Sequence, residues 1–128
     1  MAAASCGGRV LVALDARMGE VYFGAFVDGQ QIGEIGVFAP EAVPVPESSG
    51  WLACGNGLAA YPALRERLAA CVDAWKPEVI PHAEAVLRLA APRLESGERV
   101  DPADAVPFYV RDKVAKTVAE RLAEGGRA

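Results

Sequence analysis

Histidine and cysteine are scarce in this chain. One histidine, His82, and three cysteines stand among 128 residues. Cys6, Cys54 and Cys71 are odd in number and show no Cys-x-x-Cys spacing, which argues against a disulfide framework or a cysteine-built zinc site. They read as reduced thiols filling the roles of small hydrophobes. A lone histidine between Pro81 and Ala83 reads as a surface residue at a helix start, and no metal is expected. There is no His-Glu-x-x-His, no Gly-x-Ser-x-Gly and no cysteine with a partner base in sequence, so the usual signatures of proteolysis are missing. Long apolar runs are also lacking. None reaches the roughly 18 residues of a membrane span, and the alanine-rich start has neither a basic n-region nor a long apolar h-region. The expectation is a cytoplasmic protein without membrane contact. Basic charge is short as well: 13 Lys and Arg against 17 Asp and Glu give a net charge of −4. That excludes general nucleic-acid or anionic-membrane binding, although local basic residues remain able to touch RNA inside a complex.

What is present is apolar and patterned. Hydrophobic residues make up 52% of the chain, enough for one domain with a substantial core. Residues 9–14 form a continuous apolar run, as a central strand does. Residues 21–27 follow as a second strand, closed by Asp28-Gly29. Residues 32–38 alternate weakly and complete an antiparallel meander. The stretch 40–50 is rich in proline and should be irregular. Residues 51–54 read as a short buried strand, followed by Gly55-Asn56-Gly57. A helix then places Tyr61, Leu64, Leu68 and Cys71 on one face. Residues 79–80 are expected to be extended. Ala83, Val86, Leu87, Ala90 and Leu94 repeat at helical spacing, with Pro92 expected to kink or shorten that helix and Gly97 to cap it. Val114, Val118 and Leu122 mark a last helix. Strands first and helices later predict an α/β fold with a mixed sheet, an antiparallel meander and flanking helices. A ribonuclease-H-like half-domain begins this way, and so do other α+β folds.

Three places carry chemistry, each with two readings. Asp15, Arg17 and Glu20 crowd the polar segment between the first two strands. They are either a corner that contacts an anion or a partner, with Arg17 reaching a carboxylate or phosphate, or a turn whose charges satisfy one another. In the second reading Asp15 caps backbone amides and Arg17 pairs with Glu20 or Asp112. Gly55, Asn56 and Gly57 connect a strand to a helix, an arrangement that lets backbone amides approach a phosphate; a plain tight turn is the alternative, since the P-loop lysine is missing. Tyr109, Arg111 and Asp112 precede the last helix, with Asp112 a candidate N-cap and Tyr109 expected to pack beneath. Arg111, Lys113 and Lys116 form a basic cluster that is either a solvated face or a contact with RNA or an acidic partner.

Two of these segments resemble a known family. Asp15-Ala16-Arg17-Met18-Gly19-Glu20-Val21-Tyr22 is similar to the DARMGEVY signature of the bacterial TsaB (YeaZ) family. Pro107-Phe108-Tyr109-Val110-Arg111-Asp112-Lys113-Val114-Ala115 resembles its late P-x-Y-L-R-D-x-V-A segment. Gly55-Asn56-Gly57 with Tyr61, and Pro81 with Ala83, fit between them in order. The resemblance marks Asp15, Arg17, Glu20, Tyr22, Tyr109, Arg111 and Asp112 as signature residues for structure or partner contact, with no catalytic residue. It implies a ribonuclease-H-like half-domain of the actin-like ATPase superfamily over residues 9–124, preceded by the remnant of a helix at 1–8 and followed by a frayed tail at 125–128. The Asp-Thr loop that opens the family's first half does not occur, so the chain looks like the second half only, and assembly by this half alone is in doubt. The role implied is a non-catalytic scaffold in making N6-threonylcarbamoyladenosine at position 37 of ANN-decoding tRNAs. A TsaD-like transferase and a TsaE-like ATPase are the implied partners, with tRNA met only through the complex and a homodimer compatible with the family. No cofactor is expected on this chain alone, and ATP or ADP belongs to the full complex. The glycoprotease-like label of the family finds no support in the residues. Two other readings stay open: a stand-alone hydrolase or nucleotide-binding domain, and a structural fragment without function.

Overall fold

A computed structural model describes residues 8–111 of the chain. Within it, strands β1 (Arg9–Arg17), β2 (Glu20–Val27) and β3 (Gln30–Phe38) form an antiparallel meander. Strands β4 (Trp51–Cys54) and β5 (Val72–Lys76) extend the sheet from the other side of β1, parallel to it and to each other. The order is β3-β2-β1-β4-β5. The expected mixed sheet and its meander are therefore present. β1 is central and apolar because it is paired on both edges and covered on both faces.

Alternation along β1 sorts the core into two layers. Leu11 and Ala13 face the larger one, with Val21, Phe23, Val43, Trp51, Leu58, Leu64 and Leu68. Helices α1 (Gly57–Ala60) and α2 (Pro62–Leu68) cover that face. Phe23 and Phe38 meet there edge to face, their centroids 6.4 Å apart. Val10, Val12 and Cys54 face the opposite side, joined by the half-buried Leu14, Phe26, Leu52 and Val79. Helix α3 (Ala83–Glu95) lies toward this thinner layer, and its Val86, Leu89 and Ala90 line a cleft with Phe26 and Gln30. Among the described residues no helix is long and apolar enough to cross a membrane.

The structure corrects several expectations. Residues 15–17 belong to β1 and Glu20 opens β2, so the connection is a two-residue turn, Met18-Gly19, and not a six-residue corner. The expected single helix through Tyr61 and Cys71 is broken at Tyr61, which takes an extended conformation (φ −128°, ψ 98°) because Pro62 follows it. Leu68 is the last residue of α2, and Cys71 lies in the turn beyond. β5 was not expected, and residues 79–80, expected to be a short strand or an extended piece, lie outside any strand. Val72–Lys76 carries Asp73 and Lys76 and follows the helix without a glycine or proline, so neither alternation nor punctuation announces it. Pro92 does not cut α3 short. The bond it removes is that of the Arg88 carbonyl, on an exposed part of the helix where water is at hand. The helix ends as its glycine predicts: Gly97 takes φ 83°, and Glu98 N–H donates to the Arg93 carbonyl at 2.9 Å, closing a Schellman motif. The last helix expected around Val114, Val118 and Leu122, the remnant at 1–8 except Gly8, the tail at 125–128, Cys6, Asp112, Lys113 and Lys116 all lie outside the described residues.

Candidate functional site

The carboxyl ends of β1 and β4 bring Asp15, Arg17, Asn56 and Tyr61 to one corner, the end of a parallel pair where open α/β sheets commonly bind. Asp15 is the hub. Its Oδ1 accepts the Arg17 backbone N–H at 2.9 Å and the Tyr61 hydroxyl at 2.9 Å. Its own N–H donates to Asn56 Oδ1 at 3.0 Å. A bulge between Asp15 and Arg17 makes this local loop of bonds fit, since it frees Arg17 N–H from the ladder. The backbone bond from Arg17, and then the Tyr61 hydroxyl, hold the Asp15 carboxyl below its ordinary value of 3.8. The same bond pushes the Tyr61 hydroxyl above its ordinary value. Both shifts favour the protonation states already present at neutral pH: a carboxylate that accepts and a phenol that donates.

Glu20 is tied elsewhere. Arg111, reaching from far along the chain, pairs with the Glu20 carboxylate through Nη2. The same guanidinium lies 3.5 Å from the Arg17 carbonyl and 3.7 Å from Met18 Sδ. Arg111 is only 12% exposed at its side chain. The expected pairing of Arg17 with Glu20 is thus corrected. Arg17 points to solvent, and among the described residues its ionic contact is Asp15 at 3.6 Å; Asp112, the other expected partner, lies outside them. Arg111 is committed to this pair, and the lysines expected to cluster with it lie outside the described residues. Tyr109 is 75% exposed, in a stretch, residues 105–111, that runs without regular structure and is tied to the hairpin by Arg111; the helix it was expected to pack beneath lies outside the described residues. Tyr22 stays apart from the polar cluster, half-buried opposite Leu14 on β1.

Gly55, Asn56 and Gly57 form the turn from β4 into α1. A Cβ at Gly55 would stand 2.1 Å from the Ala13 carbonyl oxygen, and one at Gly57 3.0 Å from the same atom. Gly55 also takes φ 113°. These glycines let the turn press against β1, and Asn56 uses that closeness to reach Asp15 N–H. Sequence reasoning singled out the turn and Asp15 separately and missed their bond; it also left Tyr61 as a core residue. Tyr61 and Asp15 are 46 positions apart, so no local pattern links them.

Among the described residues no group of three or more His, Cys, Asp or Glu is placed to hold a metal ion. His82 occupies the N-cap position of α3, exposed and with no side-chain capping bond. Cys54 and Cys71 are buried inside the core, and burial pushes the Cys71 thiol up. Such thiols are poor nucleophiles.

No family model matches the chain. It is 34% identical over 119 aligned positions to the tRNA threonylcarbamoyladenosine biosynthesis protein TsaB of Escherichia coli K12, a match over 84% of this chain and 49% of that protein. Two solved Pseudomonas aeruginosa structures resemble it, each with a TM-score of 0.69 over 82% of this chain. One is an uncharacterised protein with similarity to peptidase YeaZ, 35% identical, half of whose length is covered. The other is YeaZ, 34% identical, of which 51% is covered. The chain thus spans about half the length of the relatives it matches. With the signature hairpin and the mixed sheet in place, these likenesses support a place for the chain in the TsaB/YeaZ family.

Proposed function

We propose that this chain is a non-catalytic component of the machinery that makes N6-threonylcarbamoyladenosine in tRNA. Its fold is read as a ribonuclease-H-like half-domain of the actin-like superfamily, equivalent to the second half of a TsaB protein. The strand order β3-β2-β1-β4-β5, with a meander joined to two parallel strands, supports that placement. The likeness to TsaB over most of this chain supports the biological role.

The single observation that carries the non-catalytic reading is the internal satisfaction of the charged corner. Asp15 accepts from Arg17 and Tyr61, and Glu20 is paired with Arg111. A general acid working near neutral pH needs a raised carboxyl, and a base needs a proton within reach. The Asp15 carboxyl is lowered. The groups hold a hairpin in shape and leave its tip to be presented, as in a scaffold. The partners in this reading are a TsaD-like transferase and a TsaE-like ATPase, with tRNA met through the complex.

The test is nucleoside analysis of bulk tRNA from a strain in which the gene is depleted. N6-threonylcarbamoyladenosine is expected to fall as the protein is lost and to return when the gene is restored. An unchanged level of the modified nucleoside would overturn the assignment. Nucleotide-dependent thermal stabilisation of the purified chain would instead favour the stand-alone nucleotide-binding alternative.

A further inference from the structure

The tip of the β1–β2 hairpin is held in an unfavourable shape with no internal packing to show for it. Arg17, Met18 and Gly19 all take positive φ (65°, 56° and 76°). Glycine does so freely, but arginine and methionine do so at a cost in free energy. Their side chains gain no burial in return: Met18 is 59% exposed and the Arg17 side chain 87%. The shape is imposed from the flanks. Asp15 binds the Arg17 N–H, and Arg111 lies against the Arg17 carbonyl and the Met18 sulfur while pairing with Glu20. Anchored Arg111 also places Phe108 and Tyr109, 79% and 75% exposed, just before it in the chain. Exposed Met, Phe, Tyr and Arg side chains, on two segments that Arg111 ties together, are residue types enriched at interface centres.

The charge is one-sided. Glu20 is neutralised by Arg111, and Asp15 is 17% exposed with two donors on one oxygen. Among the described residues, Arg17 is the cation this corner turns outward. We propose that Arg17 and Met18, together with Phe108 and Tyr109, form a docking surface for a protein partner that offers a carboxylate to Arg17 within an apolar surround. An RNA phosphate would satisfy the same guanidinium, but a chain of net charge −4 repels a polyanion and favours a protein. The surface deepens the functional reading above and rests on it: it is a contact this half makes with the transferase, additional to any made by sequence outside the chain.

Met18 is one of two methionines, so labelling methionine methyl groups with carbon-13 gives a direct reporter. Purified TsaD-type transferase from the same genome is titrated into the labelled chain up to its solubility limit. The Met18 methyl signal is expected to shift or broaden saturably. Arg17→Glu should weaken the apparent affinity about tenfold or more, and Arg17→Lys should retain most of it, as expected for a charge contact at an interface. Circular dichroism checks that the Arg17→Glu chain stays folded, which its exposure predicts. The surface is overturned by binding that leaves Met18 unmoved, by equal affinity of Arg17→Glu, by no binding at all, or by a Met18 response to tRNA with none to the transferase. These outcomes leave the functional reading standing if the modified nucleoside still falls on depletion. A nucleoside level independent of the gene overturns the reading itself.

Discussion

Asp15 and Tyr61 share one hydrogen bond that perturbs both, in opposite directions on the pH scale. The Asp15 carboxyl is lowered by the Arg17 N–H and the Tyr61 hydroxyl. It therefore stabilises the fold above the ordinary carboxyl range, and that contribution is lost as pH falls through the lowered value. The Tyr61 hydroxyl is raised by the same carboxylate. It stabilises below the ordinary phenol range, and that contribution is lost as pH rises through the raised value. Tyr61→Phe should thus lower the melting temperature at pH 7, and its deficit relative to the parent should shrink in strong acid, where Asp15 is protonated. A deficit of constant size across thermal melts from neutral to acid would refute the coupling. Gly55 gives the sharpest prediction at this scale. Gly55→Ala places a methyl against the Ala13 carbonyl and demands φ 113° of an L-residue. Strain and overpacking of about 1–3 kcal/mol each predict a loss of about 2–6 kcal/mol in urea unfolding. Residue types and local turns at this corner were legible from the chain; the bonds of Asp15 to Tyr61 and Asn56 were not, because their partners lie 46 and 41 positions away.

At the scale of elements, two ion pairs of similar appearance should differ in worth. Glu84 and Arg88 sit four apart on α3, both exposed, at 2.6 Å. Such a pair contributes about 0.3–0.5 kcal/mol. Arg111 and Glu20 join the segment after α3 to the hairpin, and the arginine is largely withdrawn from water. A double-mutant cycle with Arg111→Met and Glu20→Gln should give a coupling of about 1–2 kcal/mol, between the exposed and buried limits. Equal coupling in the two pairs would contradict this. The meander was readable because its strands are apolar, alternate and are separated by short turns that contain glycine. The break at Tyr61 is encoded by Pro62, but the apolar spacing that continues across it masks the break. β5 was hidden, since a short strand held by pairing with β4 and by Arg65 stacked 5.0 Å from the Trp75 ring needs no pattern of its own.

For the whole molecule, the two faces of the sheet carry unequal loads. Among the described residues, the face under α1 and α2 holds most of the buried side chains, including Leu58, Leu64 and Leu68 at 1% exposure or less. The face toward α3 buries few, and α3 itself leaves Leu87 and Leu94 largely in solvent. Leu64→Ala should cost about 2–5 kcal/mol by chemical denaturation, whereas Leu87→Ser should change stability by about 0.5 kcal/mol or less. A large loss at Leu87 would show that α3 is a structural member of the core. The apolar repeat of α3 was legible as a helix, but its burial was not, because periodicity reports a stripe and not what covers it.

Strand β1 also sets the order of assembly. On one side it meets β2 across a two-residue turn, and on the other it meets β4 only after β3 and a proline-rich crossing have been threaded. The first closure costs little entropy and the second costs more, so the meander should form early and the parallel pair late. Substitutions that weaken β4 should then speed unfolding while leaving the refolding rate nearly constant, and those in β1 and β2 should slow refolding. Stopped-flow measurements on Leu52→Ala and Val21→Ala separate the two. The glycines at Gly55 and Gly57, which admit the incoming turn against a strand already built, would act as the latch on the final step.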